Sequence, residues 1–484
     1  IGNESGEALT IGQRNVAIGY EVFTAGAVES NDNVAIGHRA LNSTGTAAIG
    51  GSTAIGAGAL TAMNHADAVG NIGIGHYAGA SITHGKYNTA VGYQSMYNAM
   101  DVGDANSAFG YNSLYSLDPD GNDQGKNTAM GSNAGYNLTT GTENTYIGES
   151  AGFYNVTGDG NVHVGSNAGG GVSGKSHSQS VFIGYNAGLT AYTGNDNIAI
   201  GYAAMDDIDA DTTVGASLSN IFIGSNAGGG TWVTAASNYN VGIGVGVMDD
   251  AMNGALNNTA VGHGSLGALT QGDYNTSIGQ NSGMAISTGI KNTVVGSSAL
   301  GSNSTGSNNT AVGLSALEQA TGDDSTAVGY QSLAALSDGE ANTAVGYQSL
   351  DAITTGNYNT AVGYQALTTA AAAGADNTAV GYRALYTHNV NGAGRNTAVG
   401  TSAGEALTTG TKNVAIGKDA LADSTTALKV IAIGDSAMSA CATGQAHEGT
   451  IAIGVDSQQN LTTGGGNIAI GVDTLKQNTT GARN

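Results

Sequence analysis

Two pentapeptides, Gly148-Glu149-Ser150-Ala151-Gly152 and Gly400-Thr401-Ser402-Ala403-Gly404, have the Gly-x-Ser-x-Gly form that lifts a nucleophilic serine onto a strand-to-helix turn in hydrolases. Both are variants of a segment found all along the chain, Gly363-Tyr364-Gln365-Ala366-Leu367, and Gly131-Ser132-Asn133-Ala134-Gly135 carries asparagine at the same place. No helix is predicted behind either serine, so both are read as members of a repeat and no catalytic residue is assigned. His38, His76 and His263 share one repeat position with Tyr20, Tyr93, Tyr330, Tyr347, Tyr364 and Tyr382. They are spread along the chain, whereas a metal site needs convergent ligands, so no metal and no cofactor is expected. The same aromatic column could stack on sugar rings, which makes Tyr330, Tyr347 and Tyr364 the candidates for surface binding. Asp118, Asp120 and Asp123, and Asp206, Asp207, Asp209 and Asp211, are oxygen-rich enough for calcium but match neither the EF-hand nor the nonapeptide spacing, and they read as solvated loops. Asn-x-Ser/Thr triplets such as Asn42-Ser43-Thr44, Asn137-Leu138-Thr139 and Asn460-Leu461-Thr462 are what an Asn- and Thr-rich repeat produces by chance.

The elements that would position these residues are set by the repeat itself. Asn359-Thr360-Ala361-Val362-Gly363-Tyr364-Gln365-Ala366-Leu367 returns, with small changes, from Asn15-Val16-Ala17-Ile18-Gly19 to Asn467-Ile468-Ala469-Ile470-Gly471. There are about 26 copies, most of them ~17 residues apart, and that periodicity defines a solenoid. The expected fold is an all-β parallel β-roll forming a single domain over residues 1–484, with a degenerate first repeat in 1–14 and regular repeats in 15–484. Eighty glycines against one proline follow the repeat and not every third residue, which excludes collagen. Thr354-Thr355-Gly356 and Thr408-Thr409-Gly410 are expected to be tight turns with one residue at positive φ.

Numbering the nine motif residues from the asparagine, alternation in a strand puts positions two and four on one face and position three on the other. Position four is never polar and position two is mostly β-branched, so these columns are expected to fill the coil, with Ile18, Val91, Ile183, Val362 and Ile470 as core residues. Position three is usually alanine, as in Ala344 and Ala361, but is Tyr146, His163, Phe182 and Phe222 in repeats whose ninth residue is Gly152, Gly169, Gly188 and Gly228. None of these four meets a large residue at nine, as expected when two positions share one packed volume. Ala361, Ala344, Phe182, Phe222 and Tyr146 are therefore expected to pack between chains.

A formal charge of −23 opposes binding to nucleic acid, which needs a basic face. The single cysteine, Cys441, permits no intrachain disulfide and reads as a small buried hydrophobe. No apolar run reaches the ~18 residues of a membrane span, so membrane insertion is not expected.

The pattern Asn-x-Ala-Ile/Val-Gly, followed by a small residue and a glycine turn, resembles the head repeats of YadA-like trimeric autotransporter adhesins and, more closely, related repeats of bacteriophage tail fibres. The likeness runs from Asn15 to Gly471. It implies a left-handed parallel β-roll in a homotrimeric rod, with Val16 and Ile18, or Thr360 and Val362, inside each roll and Gly19 or Gly363 at a corner. No secretion leader, coiled-coil stalk or barrel anchor of the adhesin type is recognised, which favours the phage-fibre version, or a fragment. The expected function is a structural and adhesive fibre shaft, extracellular or on a virion, that binds itself and touches a cell-surface glycan or protein receptor through rim loops. It is not expected to be an enzyme. The alternatives are a glycan-cleaving tailspike, opposed by the lack of paired carboxylates outside loops, and an ice-binding solenoid, opposed by threonines assigned to the interior and to turns.

Overall fold

The computed structural model describes all residues except 8, 25–29, 43–48, 101–102, 119–124, 192, 209–215, 233–234, 370–373 and 442–446. The chain divides into two units, Ile1–Gly254 and Ala255–Asn484. Each is a parallel β-solenoid, and the described residues contain no helix.

In the first unit thirteen three-residue strands run from Val16–Ile18 to Val241–Ile243, and in the second thirteen run from Thr259–Val261 to Ile468–Ile470. A minor pair, Gly374–Ala375 and Gly392–Ala393, joins two turns of the second unit. Successive strands pair in parallel and without slippage, so that position two meets position two, as in Thr343↔Thr360, Ala344↔Ala361 and Val345↔Val362. A slip of one residue would exchange the faces, and the repeat forbids it because every column would then mismatch at once.

The faces are the reverse of the expectation. Position three points into the coil: Ala344, Ala361, Tyr146, Phe182 and Phe222 are all fully buried within a single chain. Positions two and four point outward. Ile18, Ile183, Val362 and Ile470 are 39, 36, 36 and 65% exposed, and Val91 is half-buried. The proposed core column is thus a surface column, and the residues assigned to an interchain interface form the core. The cause lies in the return path of each coil. Leu367 at position nine, Ala366 at eight and, in the preceding coil, Ile353 come back fully buried against the strand, leaving space at position three for a small side chain, alanine here and valine where Val294 meets Leu300.

The size exchange between positions three and nine is therefore internal to the coil. A Cβ at Gly188 would lie 2.6 Å from Cδ2 of Phe182, and one at Gly152 would lie 2.7 Å from Cε1 of Tyr146. The rings also reach the neighbouring coil, since a Cβ at Gly135 would sit 2.9 Å from Cδ2 of Tyr146. This explains a glycine at nine in a repeat whose third residue is alanine. The exception Ala398 with Gly404 has the same origin, because Leu385 of the coil before fills the space, its Cδ2 3.0 Å from where a Cβ would be.

Asparagine at position one is a structural member that the sequence reading did not interpret. Asn359 is buried; its backbone N–H and its Nδ2 donate to Oδ1 of Asn342 at 3.0 and 3.1 Å, and Nδ2 also donates to the Gly374 carbonyl at 2.8 Å. Its own Oδ1 accepts from the backbone and side chain of Asn377, both at 3.1 Å. Each coil satisfies the polar groups of the next, as a buried amide requires.

Glycine at position five is required by geometry. Gly363 has φ of 138°, and a Cβ there would overlap the carbonyl of Gly381 one coil on. The Thr-Thr-Gly turns differ from expectation: Gly356 and Gly410 are not among the residues of positive φ. They are glycines because a Cβ would overlap the carbonyls of Gly374 and Ala427 in the following coils. Positive φ falls elsewhere, on Tyr358, Gln365 and Leu367 at 59, 51 and 53°. Left-handed backbone at non-glycine residues costs about 1–2 kcal/mol each, and burial of the leucine side chain, worth roughly 1.5–3 kcal/mol, offsets it at position nine.

Candidate interaction surface

Three features could meet a ligand: the outward strand face, the aromatic columns beside it and the loops.

The column at position six emerges just after the corner glycine. Tyr330, Tyr347 and Tyr364 are 40, 43 and 46% exposed. With Tyr382 they form one stack, centroids 5.2, 5.1 and 5.4 Å apart and ring planes 12, 7 and 10° from parallel. Beside it, Gln348 Nε2 donates to Gln331 Oε1 and Gln365 Nε2 to Gln348 Oε1, each at 3.1 Å. These tyrosines are the candidates for stacking onto sugar, but the faces between successive rings are occupied by one another. What they offer outward is ring edges and phenol oxygens.

A second aromatic column, not noticed in the sequence, lies one residue past the motif. Tyr97, Tyr115, Tyr136 and Phe153 stack at 5.5, 4.9 and 5.2 Å. The signal was present as Tyr or Phe at position ten of four successive repeats; it had no motif to mark it. Tyr154 stands edge-on to Phe153 at 4.7 Å and 81°. A groove of about 210 Å³ opens there, lined by Ser150, Phe153, Tyr154, Asn167 and Leu189 among others.

Among the histidines of position six, His38 stacks on Tyr20 at 5.6 Å and His76 on Tyr93 at 5.4 Å. No group of three or more His, Cys, Asp or Glu able to hold a metal occurs among the described residues. Ser150 and Ser402 occupy position seven of their repeats, both with φ of 55°, on turns with no helix behind them. Of the acidic loops, Asp120, Asp123, Asp209 and Asp211 lie outside the described residues. Thr190 Oγ1 donates to Asp207 Oδ1 at 3.1 Å, and Thr231 Oγ1 to its Oδ2 at 2.5 Å, while partial burial raises the Asp206 carboxyl above its usual range.

Inside the first unit, Tyr146, His163 and Phe182 stack at 5.0 and 5.2 Å, and His177 approaches from the opposite wall with its Nε2 3.1 Å from that of His163. Burial drives both imidazoles to lower pKa, His163 well below its usual value and further depressed by His177, and His177 down to about 4. Burial likewise raises the Cys441 thiol to about 12, so the cysteine is an inert hydrophobe of the core.

No helix among the described residues is long and apolar enough to cross a membrane. Comparison with known proteins returns no matching family model and no matching curated relative.

Proposed function

We propose that this chain is the structural and adhesive shaft of a fibre, extracellular or on a virion, in which copies of the chain pack through their outward strand faces. One observation carries the reading. In five successive coils of the first unit both outward columns are aliphatic: Val162 and Val164, Val181 and Ile183, Ile198 and Ile200, Ile221 and Ile223, Val241 and Ile243. This charge-free stripe, exposed at Ile183 and Ile243 and half-buried elsewhere, extends about 20 Å along the stack, and contiguous outward apolar surface marks an interface. A homotrimer about an axis parallel to the stack would enclose it, and the resemblance to adhesin heads and tail-fibre repeats supports three copies. The paired position-three residues stay inside each coil, so the interface moves to positions two and four. Loops and aromatic columns remain outside to touch a cell-surface glycan or protein. No catalytic role is assigned, because the two Gly-x-Ser-x-Gly serines lie on turns between strands.

The test is the mass of the full chain in solution by analytical ultracentrifugation. Three chains are expected. Ile200→Asp combined with Ile223→Asp would place two charges in the stripe and yield a folded monomer; a wild-type monomer, or a variant that keeps the wild-type mass, refutes the packing.

A second reading, ice binding, is favoured by a specific observation in the second unit. Thr259, Thr276, Thr293, Thr310, Thr326, Thr343, Thr360, Thr378 and Thr397 form an unbroken outward column beside Val or Ile at position four. Hydroxyl and methyl groups then repeat at ~4.8 by ~6.6 Å on β-branched side chains with restricted rotamers. The tyrosine rings beside this column lie within 7–12° of parallel from coil to coil. Thermal hysteresis by the full chain, lost on Thr343→Tyr with Thr360→Tyr, supports this reading. Its absence in the wild type ends it.

A further inference from the structure

We infer that the end of the Tyr97-to-Phe153 column is a binding slot for one pyranose ring, stacked on Phe153 in place of a missing rung. The inference deepens the glycan-contact part of the proposed function and does not depend on how copies of the chain assemble.

The column repeats once per coil until Phe153. At the next coil its position is held by Gly170, and at the coil after that by Leu189. The outer face of Phe153 therefore has no ring above it, and two coil spacings, about 9.6 Å, separate the levels of Phe153 and Leu189. A ring between them needs roughly 3.5–4.0 Å of contact distance on each side, about 7–8 Å in all. One ring fits and two do not. Leu189 leans toward the gap, its Cδ1 3.4 Å from where a Cβ on Gly170 would be; this lowers the apolar lid to about 8 Å above Phe153, which is still the height of one ring. Tyr154, 39% exposed and perpendicular to Phe153, forms one wall. This is the place where the groove of about 210 Å³ opens.

The chemistry of the rim selects the occupant. Floor and lid are hydrocarbon, while Ser150, with its hydroxyl, and Asn167, whose Nδ2 donates to Asn186 Oδ1 at 3.1 Å, line the sides. A slot that is apolar above and below and polar around its edge matches a pyranose, whose C–H groups lie on its faces and whose hydroxyls lie around its equator. An aromatic side chain would leave the polar rim without partners. A nucleobase would bring phosphate toward a chain of formal charge −23. The Tyr330-to-Tyr382 stack has no such gap, because each of its rungs is filled.

Saturation-transfer NMR on the full chain tests the slot, with the methyl glycosides of glucose, galactose, mannose and N-acetylglucosamine as probes. Transfer to at least one glycoside is expected, strongest at the C–H protons of one ring face. Gly170→Leu, which restores the rung with the residue present at 189, should abolish it, and so should Phe153→Ala. Phe153→Trp should retain it, and Tyr358→Ala, an exposed tyrosine outside the aromatic columns, should leave it unchanged. Gly170 has no positive φ and Phe153 lies on the outer surface, so circular dichroism of both variants should match the wild type. No transfer to any of the four glycosides, or transfer that survives Gly170→Leu in a folded protein, overturns the inference. Sedimentation of the same samples reports on assembly independently.

Discussion

Exchanging the sizes of Phe182 and Gly188 is the sharpest probe of how the coil is filled. Phe182 is fully buried, and its Cδ2, Cε2 and Cγ stand 2.6, 2.7 and 2.7 Å from where a Cβ on Gly188 would lie. Phe182→Ala removes a whole ring and leaves a cavity, which costs roughly 3–5 kcal/mol. Gly188→Leu has two costs. Its side chain collides with the ring, an overpacking of about 1–3 kcal/mol, and a left-handed residue, φ 60°, loses glycine's freedom at about 1–2 kcal/mol. The backbone tolerates leucine, because Leu350 and Leu367 hold the equivalent position at φ of 53°. In the double variant the leucine occupies the volume of the ring and recreates the pairing of Ala361 with Leu367. The left-handed cost remains, as does the lost stack of Phe182 on His163, worth about 0.5–1.5 kcal/mol. The double variant should therefore be less destabilised than the sum of the singles by about 0.5–3 kcal/mol. Native-state hydrogen exchange is the assay, read at the Gly188 amide, which donates to the Ala204 carbonyl at 2.9 Å. Strict additivity would show that positions three and nine do not share a volume, and the account of the core would fail.

Asn359→Ala should cost several kcal/mol, at about 1–3 for each buried donor left unpaired, because the backbone N–H and Nδ2 of Asn377 both depend on Asn359 Oδ1; a change below about 1 kcal/mol in urea unfolding would remove the ladder from the list of stabilising features. The His163–His177 pair predicts acid sensitivity. Both pKa values are lowered in the fold from an ordinary 6.5, so the unfolded chain takes up protons first, and stability complete above pH 6.5 falls as the pH drops toward about 4, at up to ~1.4 kcal/mol per pH unit for each histidine. Exchange protection at Gly184, whose amide donates to Val164 at 2.8 Å, should fall between pH 6.5 and 5, and His163→Phe with His177→Leu should flatten that profile; an unchanged profile refutes the assignment.

Much of this protein was legible in its amino-acid sequence. The period, the parallel in-register stacking, the glycine corners and the exchange of size between Phe182 and Gly188 are all local or strictly repeating properties. A repeat in register forces them whatever the fold does elsewhere. Alternation in a three-residue strand, by contrast, separates two faces without saying which is enclosed. The apolar Val362 and the small Ala361 point to the wrong one, because hydrophobicity alone does not measure the space a fold leaves. Tertiary structure decided it through the return of Ala366, Leu367 and Ile353, which fill the coil until only a small side chain fits opposite. The same packing turned a column of asparagines into a buried ladder and covered the faces of Tyr347 and Tyr364 with their neighbours. Those interactions join residues one full coil apart, and their geometry exists only when the coils are stacked.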